Sequence, residues 1–365
     1  MEAPGRIVIL ADIDYFYSQA EERRHPELVG KPLVVCVYSG RSEESGVVAT
    51  ANYEARRHGV RSGMPISLAK RRLEGVEAAF FPVDFAYYRQ LSDRVMAILK
   101  EHADEFEQVG IDEAYLDISG RVSGYNEGEE LGRELKRRVR EEEGLKITIG
   151  IGPNKLIAKM ASDASKPDGL RAVRPEGVAA FISPLPVDAI PGVGKKTGER
   201  LGELGIRTIG ELAGLSQARL IEEFGEALGR FLFLAAKGID NDPVQGREEL
   251  GSMSRIVTLK EDTRDMSVIS LRINEICEEI HRRAAREGVL YRNVGIIAIH
   301  PDLTMKSRTK SLPAPTNDLQ LLKRSALELA GKYIDETPKE LRRIGVHISG
   351  FTRMQKGQKD LSSYL

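Results

Sequence analysis

Cysteine is nearly missing from this chain: there are two in 365 residues, Cys36 and Cys277. They stand far apart, with neither metal-ligand nor redox spacing, so a zinc module or a dithiol centre is excluded. Cys36 lies in the apolar run Leu33–Val37 and reads as a buried thiol. No apolar run approaches the length of a membrane span, and the first residues lack a basic region followed by an apolar stretch. A soluble, cytoplasmic protein is expected, with no membrane partner. Net charge is also nearly absent, at −1. That sum conceals an asymmetry. Residues 251–356 hold nineteen Lys and Arg against thirteen Asp and Glu, whereas the first 250 residues sum to −7. A basic C-terminal third points to a polyanion partner, although a solvated helix face gives similar counts. The length allows two to four domains, and the apolar content of 41% is that of an ordinary globular core.

What the chain does contain is organised around Glu107–Ser119. Ala114–Ile118 alternates like a half-buried strand, and the adjacent acids Asp112 and Glu113 precede it beside the turn residue Gly110. Neighbouring carboxylates repel unless a cation lies between them, and hard oxygen ligands suit Mg²⁺ or Mn²⁺. An isolated pair of this kind is more often a solvated turn, so the rest of the chain has to decide. Arg6–Asp14 is almost continuously apolar and then acidic, a buried strand whose end emerges at a functional edge. Asp12 and Asp14 share one face by period two, so local pattern does not choose between them. An acid at a strand end plus an acidic pair on a hairpin is what a two-metal site requires. Without residues 16–83, the first 173 residues read β-α-β-β-α-β, the ferredoxin-like plan with helices on one face. That plan sets the first and third strands side by side and brings Asp12 to Asp112 and Glu113.

A second constellation is basic and aromatic. A helix is predicted over Ala51–Arg57, with Thr50, Tyr53 and Arg56 spaced by three on one face as a phosphate clamp. Lys166 is a poised cation at a helix C-terminus, before Pro167-Asp168-Gly169. Residues 174–240 are helical and contain Ile190-Pro191-Gly192-Val193-Gly194-Lys195, which looks like a helix-hairpin-helix turn. Its backbone N–H groups at Gly192 and Gly194, with Lys195, suit a DNA phosphate. Residues 241–251 read as a polar linker, and 252–356 repeat the β-α-β-β-α-β order. There Lys306, Arg308 and Lys310 alternate along one strand as a phosphate-tracking row. In the tail, 357–365, Gln358, Leu361, Tyr364 and Leu365 have the spacing of a docking turn.

The motifs A-D-I-D-Y-F-Y at 11–17, A-T-A-N-Y-E-A-R at 49–56, I-D-E-A-Y-L-D at 111–117 and S-K-P-D-G at 165–169 occur in this order. With them the chain resembles the Y-family translesion DNA polymerases over essentially its whole length, closest to the archaeal DNA polymerase IV type. The resemblance implies an α+β multidomain fold. It comprises a ferredoxin-like palm (1–15 and 84–173), small inserted fingers (16–83), a helix-hairpin-helix thumb (174–240) and a separate little finger (252–356). It also implies Asp12, rather than Asp14, as the shared metal ligand with Asp112 and Glu113, and the Ile13 carbonyl as a further donor. Two Mg²⁺ ions per site are expected, with Mn²⁺ as a substitute. Thr50, Tyr53, Arg56 and Lys166 would hold the incoming dNTP, and Tyr17 would crowd a ribose 2′-hydroxyl. Small residues over the nascent pair (Val47, Ala49 and Gly63) imply an open site tolerant of damaged bases. The four domains take up the residues, so no proofreading exonuclease, and with it low fidelity, is expected. Primer-template DNA is the implied partner, with a sliding clamp engaged by the tail, and a monomer is expected. The rivals are a palm-fold nucleotidyl cyclase and a non-catalytic DNA-binding scaffold.

Overall fold

The computed structural model describes residues 5–246 and 251–353. They form two compact units, one from residues 5–37 with 47–246, the other from 38–46 with 251–353. In chain order the first unit begins with β1 (Val8–Ile13), α1 (Phe16–Arg24), β2 (Leu33–Tyr38) and β3 (Gly46–Ala51). It continues through α2 (Tyr53–Arg57), α3 (Ile66–Arg72), β4 (Ala79–Pro82), α4 (Phe85–Lys100), β5 (Glu105–Gln108) and β6 (Glu113–Asp117). Next come α5 (Tyr125–Glu143), β7 (Ile147–Gly152), α6 (Lys155–Asp163) and β8 (Leu170–Ala172). Five short helices close it: α7 (Val178–Ile182), α8 (Lys195–Glu203), α9 (Ile209–Ala213), α10 (Gln217–Phe224) and α11 (Glu226–Ala235).

The central sheet has the order β5-β6-β1-β7-β8, and β1 pairs antiparallel with both β6 and β7. Setting β8 aside, this is the ferredoxin-like order, with the first and third strands adjacent. All six residues of β1 are buried, as expected for a strand covered on both faces. Ile7, Ile9, Ala11 and Ile13 pack with Tyr88, Leu91 and Val95 of α4 and with Leu135 and Val139 of α5. Val8 and Leu10 pack the other way, with Tyr115, Ala158 of α6 and Val244. The expectation of helices on one face is therefore corrected: α6 covers the second. Glycine makes this possible, because a Cβ on Gly150 of β7 would fall on the Ala158 carbonyl. Gly150→Ala should cost about 3 kcal/mol by overpacking, read from denaturant unfolding. A loss under about 1 kcal/mol would mean that α6 has room to withdraw.

Two further expectations change. Thr50 belongs to β3, and the helix begins only after Asn52, whose side chain caps it, so Thr50 does not share a helical face with Tyr53 and Arg56. The β-branched Val47, Val48 and Thr50 favour continuing the strand up to the cap. The supposed linker is partly docked. Val244 is buried against the palm sheet, and Glu107 accepts hydrogen bonds from Lys155 (2.8 Å) and from the Gln245 N–H (3.3 Å). The pattern misled because one apolar residue among polar ones carries no periodicity.

The second unit contains β9 (Ser252–Thr263), α12 (Met266–Arg286), β10 (Val289–Ile299), β11 (Met305–Thr316), α13 (Leu319–Glu336) and β12 (Leu341–Arg353). The element order repeats that of the palm, but the strand order does not. Here the sheet runs β11-β10-β12-β9, so the first strand lies at an edge.

Candidate active site

The C-terminal end of β1 and the start of β6 meet in register: Asp12 opposes Glu113, and the Ile13 N–H donates to the Asp112 carbonyl at 2.8 Å. This brings together the three acids that the sequence keeps about a hundred residues apart. A cleft of about 360 Å³ opens beside them, lined by Asp12, Ile13, Tyr17, Thr50, Tyr53, Arg56, Asp112 and Lys166, with Tyr15, Phe16, Ala49, Ser62 and Ile111. Asp12 and Asp112 therefore share one space with the basic-aromatic constellation, while Glu113, opposite Asp12 in the register, is not among the residues lining it. Thr50 reaches it from a strand and not from the helix.

Of the two strand-end acids, Asp12 lines the cleft and Asp14 does not. Asp14 is buried and fully engaged, accepting from the Thr148 hydroxyl (2.8 Å) and the Asp168 N–H (2.7 Å). It ties two loops together and is not among the cleft residues. Asp12 meets Lys166 at 2.6 Å, and Lys166 also reaches Asp163 at 3.1 Å. Lys159, which no sequence signal marked, pairs with Glu113. Burial lifts the Asp12 carboxyl to about 7; Lys166 counteracts this, and the charges of Asp112 and Glu113 add to it. Asp112 is raised too, first by burial and then by Glu113. Burial is the larger cause of both shifts, and a divalent cation is what buried hard-oxygen donors would favour. The donor chemistry fits. The present side-chain directions are not yet those of a ligand set: among the described residues no three acidic, His or Cys side chains converge on one point. Lys166 is paired with Asp12 and Lys159 with Glu113.

Tyr17 stacks on Tyr88 with centroids 4.5 Å apart and planes at 15°, and meets Phe85 edge-on at 6.1 Å. Tyr88 is fixed in turn by its hydroxyl, which donates to Glu21 at 2.6 Å. Arg56 donates from Nε to the Ala51 carbonyl (2.8 Å), and its guanidinium lies 4.8 Å from the centre of the Tyr53 ring. Burial holds the Tyr17 and Tyr53 phenols above their ordinary range, so both remain hydroxyl donors.

The other candidate residues lie elsewhere. Gly192 has φ +96°, a conformation that favours glycine, and Gly194 precedes α8. The Lys195 side chain is 88% exposed and lies 3.7 Å from Glu199. The row Lys306, Arg308 and Lys310 opposes Ala298, Ile296 and Val294, which are core residues, so these cations share the helix-covered face of the sheet. Arg308 pairs with Glu336 and Lys310 with Glu328 (2.7 Å). The three cations share one face as expected, and it is the helix-covered one. Alternation gave the common face but not which face it was. The open face instead carries Ser307, Thr309, Ser311, His347 and Ser349, level with Gly295 and Gly345. Gln358, Leu361, Tyr364 and Leu365 lie outside the described residues. No helix among the described residues is long and apolar enough to cross a membrane.

Comparison with known proteins agrees with this geometry. Residues 11–163 match the impB/mucB/samB family, 251–361 match the C-terminal domain of that family, and 188–240 match the thumb domain of DNA polymerase iota. DNA polymerase IV of Nitrosopumilus maritimus is 43% identical, covering 98% of this chain and 99% of the relative. That of Methanosarcina acetivorans is 41% identical over the same shares. Among solved structures, a Y-family polymerase chimera of Dbh and Dpo4 superposes with a TM-score of 0.90 at 36% identity. It spans 95% of this chain and all of the other. An insertion ternary complex of Dbh DNA polymerase gives 0.69 with the same identity and coverage. Full-length identity, matched domains in the same order and a shared fold lead to one conclusion: the chain belongs to the Y family of DNA polymerases, in its DNA polymerase IV branch.

Proposed function

We propose that this DNA-directed translesion polymerase adds nucleotides at the cleft between β1, β6 and α2, with Asp12, Asp112 and Glu113 as the ligands of two Mg²⁺ ions. The observation that carries the reading is that Asp12 and Asp112 line the same cleft as Tyr53, Arg56 and Lys166, with Glu113 opposite Asp12 in the strand register. The Ile13 carbonyl stands at the same strand end and is a further donor, and Mn²⁺ meets the same oxygen chemistry. When bound, the ions would lower the pKa of the primer 3′-hydroxyl and neutralise the triphosphate. Thr50, Tyr53, Arg56 and Lys166 hold the triphosphate oxygens, and the two cations offset charge moving to the leaving pyrophosphate. Arg56→Ala should weaken dNTP affinity roughly ten- to a hundred-fold, the effect of one lost charge-assisted hydrogen bond. Single-turnover kinetics across dNTP concentration would check this, and unchanged affinity would remove Arg56 from the site.

Val47, Ala49 and Gly63 leave the space over the nascent pair open, which supports tolerance of damaged bases and low fidelity. Gly192, Gly194 and Lys195 are proposed to meet the DNA backbone irrespective of sequence. Lys306, Arg308 and Lys310 are weaker candidates now that Arg308 and Lys310 have acidic partners. The tail residues Gln358, Leu361, Tyr364 and Leu365 are proposed to bind a sliding clamp. Primer extension on undamaged and abasic templates, with Mg²⁺ and with chelator, tests the whole reading. Cyclic-nucleotide formation without template would favour a cyclase instead. No Mg²⁺-dependent extension would leave a DNA-binding scaffold.

A further inference from the structure

We propose that Glu22 is a positioning residue for dNTP binding, tying the residue that follows the catalytic strand, Tyr15, to the cap of the triphosphate-binding helix, Asn52. The inference rests on the reading of Tyr53 and Arg56 given above. Helix α2 has five residues, too few to hold itself in place. Its position is imposed from outside, and Asn52 does most of this. The Asn52 side chain is buried, and its Oδ1 accepts from the Leu33 and Ala55 N–H groups, both at 3.0 Å. Its Nδ2 donates to the Lys31 carbonyl and to Glu22 Oε1, both at 2.8 Å. The second oxygen of Glu22 accepts from the Tyr15 hydroxyl at 3.1 Å. One carboxylate on α1 thus bridges the end of β1 and the start of α2.

Tyr15 has reason to need such a tether. Its backbone is left-handed (φ 37°, ψ 45°), unusual for a residue with a side chain. Its ring meets Tyr53 edge-on at 5.3 Å. Behind this pair lies a second cavity of about 390 Å³, whose walls include Tyr15, Tyr53 and Glu22. Tyr15 and Tyr53 therefore form a partition between two spaces, and the triphosphate cleft is on the front side. Glu22 does not touch that cleft. With the tether cut, Tyr15 has room to fall back, and Tyr53 with the guanidinium over it loses its support.

The test is single-turnover nucleotide addition by the full chain on primer-template DNA, separating dNTP affinity from the maximal rate. Glu22→Ala should weaken dNTP affinity about tenfold, as expected when a substrate-positioning group is loosened. The maximal rate and DNA affinity should change less than about twofold, because the acids do not depend on Glu22. Glu22→Gln should restore affinity: its oxygen accepts from Asn52, and its amide donates to the Tyr15 oxygen. Tyr15→Phe removes only the hydroxyl and should weaken affinity in the same direction, so the test survives if Glu22→Ala misfolds. Wild-type affinity in Glu22→Ala or Tyr15→Phe, or a loss confined to the maximal rate, would overturn the inference. Arg56→Ala is run alongside. If only that variant loses affinity, the Glu22 role fails alone. If it too binds dNTP normally, the triphosphate reading fails and takes this inference with it.

Discussion

Asp112→Asn should reduce nucleotide addition by roughly 10³-fold or more, the several kcal/mol that a metal contributes to such a transition state. DNA affinity should remain near wild type, since the proposed DNA contacts lie in the helix-hairpin-helix module and the C-terminal unit. The geometry gives the reason for the size of the effect. Asp12 opposes Glu113 in the pairing of β1 with β6, and the Asp112 carbonyl is held beside them by the Ile13 N–H, so each acid has a fixed place. Asp14, the nearest alternative in sequence, is held by Thr148 and the Asp168 N–H. Primer extension with a parallel DNA-binding assay checks the expectation. Near-normal turnover in the variant would exclude Asp112 from the metal site. Glu113→Ala should behave alike, with one added consequence: it removes the nearer of the two carboxylates, Glu113 and Asp163, that pair with Lys159.

Tyr17→Ala should admit ribonucleotides, lowering sugar discrimination by roughly 100-fold, the scale of a removed steric penalty of about 3 kcal/mol. A gate has to be rigid to exclude one oxygen atom, and the surroundings of Tyr17 supply that. Its ring is stacked on Tyr88, and Tyr88 is anchored by its hydrogen bond to buried Glu21. Replacing the ring leaves a space that the stacked neighbour cannot enter without losing its own anchor. The measurement is the ratio of dNTP to rNTP incorporation efficiency in single-turnover assays. An unchanged ratio would remove the gate assignment, and a fall in dNTP incorporation alone would point to lost packing instead.

The sequence by itself determined a good deal: the acidic strand ends, the order of palm, helical module and second β-α-β-β-α-β unit, and the family. These are legible because apolar period, turn residues and contiguous motifs are local properties of the chain. The central adjacency of the first and third strands also followed, since few topologies satisfy that element order. Tertiary structure decided what local pattern leaves symmetrical. Asp12 and Asp14 both suit one face, and only the partners Thr148 and Asp168 use up Asp14. Lys306, Arg308 and Lys310 alternate correctly, but which side of a strand is covered depends on where α13 packs. Thr50 reached the cleft from a strand, because Asn52 is the better cap. Lys159 and Glu22 carried no signal at all. Their importance comes from partners 46 and 30 residues away, and proximity of that kind is created only when the chain folds.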